Sequence, residues 1–281
     1  PPRSTLFPYT TLFRSVRDFR SDEICFSTVE YLIDNHQPDL IQTHLIAIDN
    51  TRHHHCVYSR ELHEAYAYLD EGLGRILAAL RRQNLEDETI IAITSDHGHL
   101  DIRQVLSINR FFLDNGLIEL DENGQVKDWK AWFQTCSLSG HVYIKNNDGK
   151  IAKQVYDLLD QNRNKLEIER IFTKEEAARE WRLEGEFTYV IESYGNTSFS
   201  ANYHWEFITP LNNASYRTSL ATHGHLPYKG AQPCFILINP FNPKQAHLDH
   251  GRVVDQAPTL ARCLNFEMTT CDGKPIEELL G

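Results

Sequence analysis

The chain has 281 residues, 41% hydrophobic and 24% charged, with a formal net charge of -11 and a pI near 5.7. This is the composition of a globular protein able to bury a core. Its acidity and the lack of a long basic run exclude nucleic-acid backbone binding as a first reading, and no stretch is apolar for long enough to cross a bilayer.

Six scattered cysteines form no CxxC pair. They read as reduced thiols rather than a disulfide framework, which favours a cytoplasmic setting while leaving the compartment and oligomeric state undecided. Residues 1–15 (PPRSTLFPYTTLFRS) have neither helical nor strand period and resemble translated cloning sequence, so they are set aside as a non-native tail. On that reading the fold begins near Val16.

Residues 21–36 carry Ile24, Val29, Leu32 and Ile33 at helical spacing, with Pro38 as a stop. Residues 40–48 (LIQTHLIAI) read as a buried strand, with His44 packed in the core. Residues 60–83 form a long amphipathic helix with Leu62, Ala65, Leu69, Leu73, Ile76, Leu77 and Leu80 on one face. Residues 89–94 (TIIAIT) are a short β-branched strand. Strand, helix and strand in this order predict parallel β-strands covered by helices. Residues 121–128 read as a polar turn, 141–145 and 187–192 as strands, and 151–162 as a helix, which suggests a β-rich insertion over about 104–205. A buried strand at 234–238 and a helix over Val253–Cys263 return to the main pattern.

Three segments carry metal-binding chemistry. In IDNTRHHH, Asp49 and His53 lie four residues apart, so one turn of chain could turn both toward one ion. Carboxylate with imidazole suits zinc, manganese or iron. In TSDHGH, Asp96 and His97 sit at a strand end, and Gly98 allows the bend that both would need to share a cation. In ATHGHLPYKG, His223 and His225 precede an apolar strand. Taken singly, the three could be a solvated turn, a helix cap and a polar loop.

Together, their order resembles the alkaline-phosphatase superfamily, in particular the type I phosphodiesterase/nucleotide pyrophosphatase family. PDLIQTHLIAIDNTRHH, NLEDETIIAITSDHGH and the C-terminal VVDQAPTLARCLNFE carry that likeness. The resemblance implies an α/β three-layer sandwich with a mostly parallel central sheet, truncated at the N-terminus, over residues 16–281. It implies hydrolysis of phosphodiester or pyrophosphate bonds in a small phosphate-ester substrate, with two divalent metal ions, zinc fitting best. One ion would take Asp49, His53 and His223, and the other Asp96 and His97. His54 could stand in for His53 if the register slips by one, and His225 would orient a ligand or face substrate. The family carries its nucleophile and one further aspartate ahead of the Asp49 motif, so this chain by itself is expected to be inactive. Competing readings are a sulfatase, phosphoglycerate mutase or phosphonate hydrolase of the same superfamily, and a non-catalytic metal-binding protein.

Overall fold

In the computed structural model, residues 19–212, 218–242 and 245–280 are described; the segment 1–15 lies outside them. In chain order the first elements are α1 (Arg20–Asn35), α2 (Ala47–His55), α3 (Arg60–Arg82), β1 (Ile91–Thr94), β2 (Leu100–Asp101), β3 (Gln104–Ser107) and α4 (Ile108–Asp114). Then come β4 (Ile118–Leu120), β5 (Val126–Trp129), β6 (Ala131–Thr135), β7 (Ser139–Ile144), α5 (Gly149–Gln161), α6 (Arg163–Leu166), β8 (Ile168–Thr173) and α7 (Lys174–Trp181). The last are β9 (Tyr189–Ser193), β10 (Thr197–Ser200), β11 (Ile208–Thr209), β12 (Ala221–Thr222), β13 (Phe235–Ile238), α8 (Val253–Cys263) and α9 (Glu277–Leu280).

The chain divides into two units. One takes the described residues up to Ile48, His63–Asp96 and those from Gln232 onward; the other takes Asp49–Leu62 and His97–Ala231.

In the first unit, α1 turns Asp22, Phe26, Val29 and Ile33 inward, a stripe at helical spacing. Val29 and Ile33 pack against Ala79 and Leu80 of α3, with Ile76 and Ile91 alongside. Each fully buried aliphatic side chain of this kind contributes roughly 1.5–3 kcal/mol. Asp22 is buried for a different reason. Its two carboxylate oxygens accept from Ile46 N at 3.0 Å and Ala47 N at 2.8 Å, satisfying N–H groups that the start of α2 leaves open.

Residues 40–46 therefore differ from the expected strand. They join no ladder among the described residues, and Leu40 and Ile46 are exposed. The Asp22 contacts draw Ile46 and Ala47 into a helix start instead. His44 is exposed rather than packed, and its carbonyl accepts from the Cys25 thiol.

The expected parallel sheet also differs from what forms. β1 pairs with β13 antiparallel, in the register Ile91↔Ile238 to Thr94↔Phe235. Of the pairings among the described residues, only β10 with β3 is parallel, and the sheets are small. β13 is not buried throughout: Ile236 and Ile238 are exposed, because one face of this two-stranded ribbon is open.

The second unit holds the larger core and includes the β-rich stretch expected over 104–205. Four antiparallel strands in the order β6-β7-β9-β8 form its main sheet. Phe112, Phe133, Val142, Leu159, Ile168 and Ile191 pack together against it. The turn foreseen at 121–128 is shorter, since β5 begins at Val126 and pairs with β4. Buried Asn109 ties the core together. Its amide donates to the Phe133 and Ala201 carbonyls and its oxygen accepts from Phe133 N, so no polar atom of that side chain is left open.

Candidate metal centre

The site lies within the second unit, and a two-rung ribbon builds it. β2 pairs with β12 antiparallel, Leu100 opposite Thr222 and Asp101 opposite Ala221. His99 immediately precedes β2 and His223 immediately follows β12, so the next position of the same register sets the two imidazoles side by side. Their ring centroids are 5.2 Å apart.

The ribbon is tied in turn to the end of α2. Leu220 N donates to the His53 carbonyl at 2.8 Å, and Val57 N donates to Asp101 Oδ1 at 2.7 Å. One α-helical turn brings Asp49 and His53 to the same face of α2. The turn of chain between them is helical.

Asp49, His53, His99 and His223 form a group whose ligand atoms all lie within 4.8 Å of one another. Asp49 Oδ1 is its centre, with His99 Nε2 at 3.1 Å, His53 Nε2 at 3.5 Å and His223 Nε2 at 3.9 Å. His53 is 0% exposed and His99 2%, whereas Asp49 is 39% exposed and His223 23%, so the group opens to solvent on one side.

The proton of His53 is assigned by its partner. Nδ1 lies 2.7 Å from the Ala221 carbonyl, which can only accept, so Nδ1 carries a hydrogen and Nε2 is the atom turned toward Asp49. An outer carbonyl that fixes the tautomer of a histidine is a usual feature of metal ligation. His99 Nδ1 is buried without a hydrogen-bond partner among the described residues.

Burial by itself would raise the Asp49 carboxyl, but hydrogen bonding and charge from the His53 and His99 imidazoles outweigh it and hold the group far below the usual carboxylate range. Burial, reinforced by the neighbouring His97, His99 and His53 rings, pushes His223 down to about 4. Burial also lowers His99, against the pull of Asp49. The site therefore presents an ionised Asp49 carboxylate beside the His99 and His223 imidazoles, whose protonation burial disfavours, an arrangement that suits metal ligation. One oxygen and three nitrogens match the zinc donor set, and the separations leave room for an ion with bonds of about 2.0–2.2 Å.

Two glycines let the backbone approach the site closely. A Cβ on Gly98 would stand 1.9 Å from the Ala231 carbonyl oxygen. Gly224 has φ +85°, and a Cβ there would stand 1.8 Å from the Cys136 carbonyl oxygen.

Of the residues expected from sequence, Asp49, His53 and His223 meet. Asp96 and His97 are outside the group. Asp96 is exposed, while the His97 ring stacks on His223 at 3.8 Å between centroids. His54 is buried but lies beside His53 around the helix and does not join. His225 does not join either, and its Nδ1 is buried without a hydrogen-bond partner among the described residues. His99 was not singled out from sequence. The signal for it is present: His97 and His99 flank Gly98 at the spacing that places alternate residues of an extended chain on one side.

The type I phosphodiesterase/nucleotide pyrophosphatase family profile matches residues 6–225, most of the chain. The chain belongs to that family. No curated protein matches it. Among solved structures it is similar to the murine ectonucleotide pyrophosphatase/phosphodiesterase 5, an inactive variant in complex with AMP, at 18% identity and a TM-score of 0.69. That likeness covers 95% of this chain and 65% of the murine one. The human ectonucleotide pyrophosphatase/phosphodiesterase 5 gives 16% identity and a TM-score of 0.67, over 92% of this chain and 63% of the human one. Phosphonoacetate hydrolase from Sinorhizobium meliloti 1021, with phosphonoformate, gives 16% identity and a TM-score of 0.53, over 79% of this chain and 51% of the hydrolase. The chain thus spans less than two-thirds of the length of each. These identities establish a shared mixed α/β fold. No helix among the described residues is long and apolar enough to cross a membrane.

Proposed function

We propose that the chain carries the metal centre of a hydrolase of phosphodiester or pyrophosphate bonds. The observation that supports this reading is the convergence of Asp49, His53, His99 and His223 on one point. A bound divalent cation, zinc fitting best, would supply Lewis-acid stabilisation of phosphoryl oxygens and lower the pKa of a bound hydroxyl.

The chain's own residues account for the rest. Asp49 contributes the negative charge that balances a cation. His53, fixed through its Nδ1 by the Ala221 carbonyl, presents Nε2 in a set direction. His223 and Asp49, the two partly exposed members, border the open side where a phosphate ester would enter. His225 is proposed to face substrate. A second ion at Asp96 and His97 belongs to the same reading, supported by the family resemblance of the TSDHGH segment. The domain reading stays with it: an alkaline-phosphatase-like domain over 16–281, with an insertion about 104–205.

The AMP in the murine relative favours a nucleotide ester as substrate class. The likeness to phosphonoacetate hydrolase favours a second reading, cleavage of a phosphonate. Because the family's nucleophile lies ahead of the Asp49 motif, binding is the most direct test. Zinc titrated calorimetrically into metal-free protein should bind tightly, and His53→Ala should abolish that tight phase. Zinc-loaded protein should then melt at a higher temperature with AMP but not with phosphonoacetate. Protection by phosphonoacetate alone would transfer the assignment to the second reading, and absence of zinc binding would remove both.

A further inference from the structure

The segment that carries His223 is fastened on two sides by groups that do not point at the cation position. On one side Leu138 N donates to the His223 carbonyl at 3.2 Å, and Ser139 Oγ donates to the Gly224 carbonyl at 2.6 Å. On the other, the anchor is one carboxylate. Glu192 Oε1 accepts from Leu226 N at 2.9 Å and from Lys229 Nζ at 2.8 Å. Lys229 also donates to the Ser193 carbonyl at 2.5 Å and pairs with Glu169.

Glu192 is 2% exposed and sits on β9, which is hydrogen-bonded on both edges by β7 and β8. Placing a carboxylate there is unfavourable unless every lone pair finds a donor, and an apolar residue of similar size often packs as well or better. The group is therefore costly as a packing element. What it does is hold the backbone just beyond His225 against a rigid strand. Metal ligands need that support, since distances must stay within a few tenths of an ångström of ideal.

We propose that Glu192 is a positioning residue. Through the Leu226 N–H and the Lys229 ammonium it sets residues 223–229 so that the His223 imidazole meets Asp49. This rests on the metal reading above.

The test is cobalt(II) binding to the full chain, followed by equilibrium dialysis and the visible absorption of the bound ion, for wild type, Glu192→Ala, Glu192→Gln and Lys229→Met. The glutamine keeps an acceptor for Leu226 N and should bind close to wild type. The alanine and the methionine should weaken cobalt by about 10–100-fold, the range seen when outer partners of ligands are removed, and should change the absorption of the residual complex. Circular dichroism of the metal-free proteins checks folding. Should Glu192→Ala fail to fold, Lys229→Met against wild type decides. Wild-type affinity and an unchanged spectrum in the folded variants would overturn the inference. A wild-type chain that takes up no cobalt would remove the metal reading itself, and the positioning role with it.

Discussion

His99 and His223 are neighbours because the ladder between β2 and β12, if extended by one rung beyond Leu100↔Thr222, would pair them. They are distant in the chain yet their rings stand 5.2 Å apart, both facing Asp49 Oδ1. Two hydrogen-bonded rungs thus do what no local motif could: they bring a strand-leading and a strand-trailing imidazole to one carboxylate.

His99→Ala is expected to weaken zinc by more than the roughly 10-fold associated with loss of an outer partner, since it removes one of the four converging ligand atoms. His54→Ala, one position from His53, should leave affinity near the wild-type value, because His54 is not among the four converging side chains. Calorimetric titration of both variants separates the two histidines. Equal losses would mean that the register of α2 differs from the one described.

Acid should release the metal and destabilise the metal-free chain. His223 is held at about 4 in the folded protein, below an ordinary imidazole near 6.5. Between those values the unfolded chain binds the extra proton, so stability falls as pH drops from about 6.5 to about 4, by something on the order of 2–3 kcal/mol from this group alone. Asp49 adds a further loss below the usual carboxylate range, since its folded pKa is depressed. Urea midpoints measured at several pH values check this. In His223→Ala the first of the two losses should shrink.

Gly224→Ala should destabilise by more than about 1 kcal/mol, since φ +85° disfavours any side chain and the new Cβ would collide with the Cys136 carbonyl. The melting temperature of metal-free protein reads this. The same variant should bind zinc more weakly, because the strain is relieved by moving the residue next to His223. An unchanged melting temperature would show that the 223–229 segment is free to relax.

Chelation should lower the melting temperature of zinc-loaded protein. A ligand held at 100 times its Kd adds about 2.7 kcal/mol to the folded state. EDTA should therefore remove several degrees from wild type and none from His53→Ala, as differential scanning calorimetry would show.

The helices were legible in the sequence because their apolar residues recur along one face. In α1, Val29 and Ile33 are buried as the spacing implies, whereas Ile24 is exposed and Phe26 takes the inward place; the bounds of α8 at Val253–Cys263 match the reading. The strand read over 40–48 was not there. An apolar run says that a segment can pair, not that a neighbour is present, and the buried Asp22 carboxylate claims Ile46 and Ala47 instead. Strand direction failed for the same reason: the antiparallel match of β1 with β13 depends on residues far away in the chain. Within the site, Asp49 and His53 were readable from their four-residue spacing. His223 came through family resemblance. His99 stayed hidden because its place depends on cross-strand register, while the adjacent Asp96 and His97 drew the reading toward themselves.

Anomalous scattering at the zinc edge, from crystals of the zinc-loaded protein, tests the central claim most directly. A strong peak should lie about 2.0–2.2 Å from Asp49 Oδ1 and from the Nε2 atoms of His53, His99 and His223. A peak elsewhere, with these four side chains unbound, would contradict it.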